Sequence, residues 1–253
     1  VARKWDMKAM HKLMLSSAAY RRSAAVTPAM LEKDPDNRLL ARGPRFRLPA
    51  EVIRDQTLWS SGLLVGKLGG PSVKPYMPEA VWDETSVYGD MRNYKADTGE
   101  GLYRRSLYTI WKRTAAPPSM LLFDSPGREV CTVKRSRSNT PMQALSLLNE
   151  TTYVEAARKL AELTLRQAGD ADARLSWMFR RVLRREATSD ELALLRKGLD
   201  RRLATYAADP SLAPKLLANG MSPVPADLDR SQLAAWTVTA NSLLNLDETV
   251  TRE

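Results

Sequence analysis

Residues 140–167 read TPMQALSLLNETTYVEAARKLAELTLRQ and set the expected fold class. Thr140 suits an N-cap, Pro141 the first helical position, and Gln143 completes a Thr-x-x-Gln capping box. Leu145, Leu148, Val154, Ala157, Leu160 and Leu163 then recur at helical spacing, which predicts one helix continuing to Gln167. Towards the C-terminus the same period returns three times. A helix is expected over 171–185, with Leu175, Phe179, Val182 and Leu183 inward. Thr188 and Glu191 form a second capping box, opening a helix that carries Leu192, Leu195, Leu199, Leu203 and Tyr206 on one side. A Pro-rich connection over 209–225 leads to a last helix near 230–245, burying Leu233, Trp236, Ala240 and Leu244. Stripes of this kind read as core rather than as a cofactor box.

Towards the N-terminus, residues 103–150 concentrate aromatic residues, positive charge and the only cysteine. Tyr103, Leu107, Ile110 and Trp111 have helical spacing and predict a short helix with Arg104, Arg105 and Lys112 on its other side, ended by Ala116-Pro117-Pro118. Residues 119–133 read as loop or extended chain, with Met120, Leu121, Leu122 and Phe123 packed inward. Within 62–102, Gly62, Gly66, Gly69 and Gly70 with Pro71, Pro75 and Pro78 predict a long irregular excursion, a kind of segment that often carries function. Pro49 suits the first turn of a helix whose buried face holds Val52, Ile53, Trp59 and Leu63. Over 4–17, Trp5, Ala9, Met10, Leu13 and Met14 predict an amphipathic helix with Lys4, Lys8 and Lys12 on another face. The expectation is an all-α fold with long irregular Gly/Pro-rich loops, organised as a single helical domain over 1–253.

With 43% hydrophobic residues in 253, the chain can bury a substantial core, and no apolar run approaches the roughly 20 residues that cross a bilayer. A formal net charge of +10 points to an anionic polymer or glycan, or nucleic acid, as partner. Arg38, Arg42, Arg45, Arg47 and Arg54 crowd a stretch containing Asp34, Asp36, Glu51 and Asp55, and read as an internal ion-pair network. The chain opens at VARKWDMKAM without an initiator Met or an apolar leader, so it reads as a fragment of a longer precursor.

Few residues offer chemistry. His11 is the only histidine, which excludes sites needing two imidazoles. Cys131 is alone, so there is no internal disulfide, and between Val130 and Thr132 it reads as a small buried apolar residue. No CxxCH haem-attachment motif occurs. Asp34, Asp36 and Asn37 lack the Gly and the acid that a calcium loop requires, Arg45 standing at the twelfth place, and GKLGG lacks the phosphate-loop spacing. Catalytic residues stay unknown, and no metal site or cofactor is expected in this chain. Over 103–137 the basic residues Arg104, Arg105, Lys112, Arg113, Arg128, Lys134, Arg135 and Arg137 face only Asp124 and Glu129. Three of them precede a capped helix start, whose free amides and dipole favour anions. The candidate anion-binding residues are therefore Arg135, Arg137, Asn139 and Thr140, with Arg104 and Arg105. The competing reading pairs these arginines with carboxylates elsewhere in the domain.

The stretches DPDNRLLARGPRFRLPAEVIRD, SGLLVGKLGGPSVKPYMP, YRRSLYTIWKRTAAPPSMLLFDSPGREVCTVKRSRSNTPMQALSLLNE and LAAWTVTANSLLNLDETVTRE, in that order, resemble a known domain. It is the C-terminal, planctomycete-specific PSD-type domain of unknown function in large exported cytochrome-c-like proteins. The resemblance runs from about Trp5 to Glu253. It implies export to the periplasm or cell surface, a precursor whose other domains are neighbours of this one, and covalent haem c outside this fragment. It supplies no catalytic residues. The expected role is a non-catalytic binding or structural module contacting an anionic ligand or glycan. The alternatives are a hydrolytic or lytic polysaccharide-degrading domain using carboxylates with Tyr103 or Tyr108, and a nucleic-acid-binding basic domain, which export speaks against.

Overall fold

Capping residues placed by the sequence start most of the helices in the computed structural model, which describes residues 4–78, 81–82, 94–112 and 114–252. Arg113 and part of the 62–102 excursion lie outside the described residues. The protein is predominantly helical, and it divides into two compact units, Val1–Arg47 with Thr251–Glu253, and Leu48–Val250.

The first unit holds α1 (Met7–Leu15), α2 (Pro28–Lys33) and a two-residue antiparallel pairing of β1 (Phe46–Arg47) with β2 (Thr251–Arg252), in register Phe46 to Arg252 and Arg47 to Thr251. Asp6 caps α1 by accepting from the Ala9 amide. The predicted apolar face of α1 exists, yet none of its residues is buried. Asp34, considered above as a calcium-loop residue, is a turn acid: its two oxygens accept the Arg38 and Leu39 amides at 2.8 and 2.7 Å. Arg42 donates to the carbonyls of Asp34 and Pro35 rather than to a carboxylate, which replaces part of the expected ion-pair network.

The second unit begins with α3 (Ala50–Ser60), for which Pro49 is the N-cap. Its buried face is Ile53, Arg54, Thr57 and Leu58, whereas Val52 and Trp59 are exposed, so the expected face is rotated. Tyr103 to Trp111 do not form the expected short helix. Two 3-10 turns, Gly99–Tyr103 and Ser106–Tyr108, are separated by extended Arg104 and Arg105. Backbone bonds from the Val65 amide to the Tyr103 carbonyl and from the Val73 amide to the Tyr108 carbonyl tie this segment to the Gly-rich excursion, satisfying carbonyls that a helix would have used internally. The stretch expected to be loop contains α4 (Pro118–Leu122), where Met120 and Phe123 are buried and Leu121 is exposed. Cys131 is exposed, contrary to the buried residue expected from its neighbours.

The long helix expected over 140–167 is two helices, α5 (Pro141–Asn149) and α6 (Thr151–Leu165), broken at Glu150, whose ψ of 137° is extended. The Glu150 carboxylate accepts from the Thr152 hydroxyl at 2.8 Å. At the start of α5 only half of the capping box forms. The Gln143 amide nitrogen donates to Thr140 Oγ1, while the Gln143 side chain donates to the Leu122 carbonyl and Ser138 Oγ.

Then follow α7 (Ala171–Leu183), α8 (Ser189–Ala208), α9 (Leu212–Leu217) inside the supposed connection, α10 (Arg230–Leu244) and α11 (Asp247–Val250). Both arms of the Thr188/Glu191 capping box form. Helix α10 packs against α6 and α8, and the main core joins Leu160, Leu175, Phe179, Leu199, Leu217, Leu233 and Trp236. Buried Thr164, Thr237 and Thr239 satisfy their hydroxyls on the carbonyl four residues back, so a polar side chain enters the core without an orphaned donor. A second cluster groups Ala50, Ile53, Met120, Phe123, Leu147, Tyr153 and Val250 around α3, α4 and α5.

Candidate functional site

The question for each arginine is whether its donors are already used. Arg135 and Arg137 reach the start of α5, and both are exposed. Arg135 is ion-paired with Glu51 at 2.8 Å. Burial, the largest single influence, raises the Glu51 carboxyl, but the bond from Arg135, a backbone bond, the Arg135 charge and the Ser125 hydroxyl together outweigh it and hold the group below its ordinary value. The Ser138 amide and hydroxyl both donate to Asp124 Oδ2, at 2.6 and 2.8 Å. The chain thus places its own carboxylates, Glu51 and Asp124, beside the candidate anion-binding residues. Thr140 Oγ1 serves as the cap, and Asn139 is exposed beside it.

Arg104 and Arg105 are brought to a different place. Arg104 is buried, donates to the carbonyls of Lys67, Gly69 and Pro71, and lies 3.8 Å over the Tyr108 ring. Tyr108 in turn accepts the Gly69 amide at 2.8 Å. This makes Arg104 a brace for the excursion. Arg105 faces Asp55 at 3.5 Å, and Asp55 Oδ1 also accepts the Ser106 amide. Arg54, buried on α3, donates to the carbonyls of Leu102 and Arg104 and to Ser106 Oγ. Six residues proposed as one site therefore fall into two groups, and four of them hold internal partners shown here.

Two arrangements were not anticipated. The first is buried. Tyr103 Oη donates to Glu155 Oε1 at 2.9 Å, and the Ser222 amide donates to the same oxygen at 2.6 Å. Arg158 approaches Glu155 at 3.8 Å, pairs with Glu162 at 2.9 Å, and donates to the Ser222 and Pro223 carbonyls. Tyr76, from the excursion, accepts the Met221 amide at 2.7 Å. Gly220 has φ +87°, and a Cβ there would lie 2.2 Å from the Glu155 carboxyl carbon, so only glycine lets the turn pass over the acid. Burial, the bond with Tyr76 and the charge of Glu155 all push the Tyr103 hydroxyl upwards, so it keeps its proton at neutral pH. Glu155 and Arg158 are each 1% exposed, which closes the carboxylate to any substrate in this conformation.

The second arrangement is at the surface. Arg181 lies 5.2 Å over Trp177 and 5.0 Å over Trp59, and Arg184 lies 3.8 Å over Trp59, giving an alternating tryptophan–arginine ladder. Trp59 is 41% exposed. Arg184 follows the last turn of α7 with φ 64°, a left-handed position that costs a non-glycine residue about 1 kcal/mol. Arg181 spends two donors on the Ser60 and Trp59 carbonyls. Neither Arg181 nor Arg184 is paired with a carboxylate among the described residues, although their neighbours Arg180 and Arg185 are, on Glu186 and on Glu191 with Glu248. Partial burial and the positive charge of Arg184 both lower the Arg181 value, as expected of two like charges held together. An oxyanion bound there would relieve that repulsion and use the free guanidinium edge of Arg184. The sequence signal was the run RRVLRRE at 180–186; its approach to Trp59 from another helix is a tertiary fact.

No group of three His, Cys, Asp or Glu residues suited to a metal occurs among the described residues. Among the described residues no helix is long and apolar enough to cross a membrane. In comparisons with known proteins, the family model PSD1, described as a protein of unknown function (DUF1553), matches residues 1–199. No curated protein and no solved structure matches the chain.

Proposed function

Because the chain belongs to the PSD1 (DUF1553) family, whose description assigns no reaction, we propose a function from its own residues: a non-catalytic binding module for an anionic polymer or glycan. The observation that carries this reading is the Trp177–Arg181–Trp59–Arg184 ladder, a cationic and aromatic surface exposed at Trp59 and Arg184 and half-buried at Trp177 and Arg181, whose arginines meet no carboxylate among the described residues. Indole faces keep a guanidinium in place while leaving its N–H edges free for sulfate, phosphate or carboxylate oxygens. The net charge of +10 draws a polyanion to it. The residue pattern supports the wider setting of an exported, planctomycete precursor with a cytochrome-c-like region elsewhere, acting in the periplasm or at the cell surface.

The test is binding to fluorescent heparin at several salt concentrations, with neutral dextran and duplex DNA as controls. Salt-sensitive heparin binding that weakens about tenfold in Arg184→Gly and Trp59→Ala, and is unchanged in the Arg135→Ala/Arg137→Ala double variant, supports the ladder. Loss only in the double variant returns the site to the start of α5. Equal affinity for duplex DNA favours the nucleic-acid reading. The polysaccharide-degrading alternative would need Glu155, closed to substrate in this conformation, to open beside Tyr103, and release of product from a uronic-acid glycan that Glu155→Gln abolishes would establish it.

A further inference from the structure

Helix α5, residues 141–149, contains no charged residue and is apolar on two sides. Its inner side, Gln143 and Leu147, is buried, while Met142, Leu145 and Leu148 on the outer side are 54%, 50% and 42% exposed. Three large apolar side chains left together in solvent along one stripe of a helix mark an interaction surface. The segment before it, 127–137, is exposed throughout and adds Val130 and Val133 to the apolar surface. That segment is anchored at two points: Arg128 lies 4.4 Å over Trp111, and Arg135 is held by Glu51. Its own charged residues are Arg128, Lys134, Arg135 and Arg137 against Glu129, and with Glu51 set on Arg135 and Asp124 on Ser138 the face keeps a small positive excess, carried by exposed Arg128 and Lys134.

We propose that the outer stripe of α5 and the basic segment preceding it form a docking face for an acidic amphipathic helix of another polypeptide segment. Met142 to Leu148 spans about 9 Å of helix, the length over which two turns of a partner present anchors at i, i+3 and i+4. The basic flank selects a partner whose polar residues are acidic. A second copy of this chain would bring two basic flanks together about a two-fold axis, so self-association is disfavoured. This face is separate from the tryptophan–arginine ladder, and the two readings stand or fall independently.

The experiment uses the whole chain and a labelled synthetic peptide of about 18 residues, with leucines at i, i+3, i+4 and i+7 and glutamates elsewhere, beside a twin in which lysines replace the glutamates. Fluorescence anisotropy should show binding of the acidic peptide, about tenfold weaker in the Met142→Ser/Leu145→Ser variant, and little binding of the lysine peptide. Circular dichroism and thermal unfolding establish that the variant is folded. Should it fail to fold, Arg128→Glu/Lys134→Glu reads the same face, with preference expected to pass to the lysine peptide. No binding of the acidic peptide, equal binding of both peptides, or equal binding by wild type and variant overturns the proposal. Dimerisation of the wild type that the variant abolishes, measured by sedimentation, also overturns it by making a second copy the occupant.

Discussion

The Tyr103 hydroxyl donates to Glu155 Oε1 over 2.9 Å, joining a 3-10 turn to the middle of α6. Glu155 Oε2 has no hydrogen-bond partner of its own, so the bonded oxygen carries the satisfaction of a buried carboxylate. Tyr103→Phe is expected to cost about 1–2 kcal/mol, and Glu155→Ala about 3 kcal/mol or more, because Arg158 then keeps Glu162 as its one carboxylate among the described residues and the Ser222 amide loses its acceptor. Urea midpoints at pH 7 decide this. A Tyr103→Phe protein as stable as wild type would show that the hydroxyl contributes nothing.

Arg54 holds the 102–106 segment from inside α3 with three hydrogen bonds, two to backbone carbonyls and one to Ser106 Oγ. A lysine cannot reproduce a planar fork reaching several acceptors, so Arg54→Lys should lose about 2–3 kcal/mol and leave amides in 102–108 exchanging faster with solvent. Hydrogen exchange read by mass spectrometry locates the effect; uniform loosening of the whole unit would contradict a local clamp.

Acid should unfold the protein partly through Glu191. Bonds from Arg185 and the Thr188 amide hold its carboxyl down to about 2, below the ordinary 4.5. The folded value is depressed, so the contribution is fully present above about 4.5 and is lost as pH falls towards 2. Arg185→Met should therefore flatten the decline in stability between those values, as measured by urea unfolding at a series of acidic pH values.

Glu150 works in the opposite direction. Burial pushes its carboxyl up, the bond from Thr152 opposing without cancelling the rise. The folded state holds this proton more tightly than the unfolded chain, so stability is highest at low pH and is lost as pH rises through the folded value. Glu150→Gln keeps an acceptor for Thr152 and should raise stability at pH 7 while changing little at pH 4. A destabilised variant at pH 7 would mean that the charge of Glu150, facing Arg54, is needed.

Cys131 is exposed in the segment before α5. Its thiol should react with a disulfide reagent in the native protein nearly as fast as in urea, followed by absorbance. Strong protection would put it back in an interior.

The helical fold was legible wherever a capping residue preceded a periodic run, as at Thr188 and Thr140, because those signals are local. What failed was the reading of residues whose partners come from far along the chain. Tyr103 to Trp111 have helical spacing, but their backbone bonds to Val65 and Val73 replace the helix. The break at Glu150 is instead local, its backbone extended and its side chain accepting the Thr152 hydroxyl, inside a stripe whose spacing runs straight through it. Basic density drew attention to Arg135, where Glu51 stands across from it from a different helix. The ladder escaped notice because Trp59 and Arg184 lie on separate helices and meet only in the folded chain.

The ladder also gives the protein an optical property. Two of the six tryptophans, Trp59 and Trp177, belong to it and sit beside guanidinium groups whose positive field perturbs the indole. An oxyanion that neutralises that field changes emission and near-ultraviolet dichroism, so occupancy of the surface can be followed by light with no label attached.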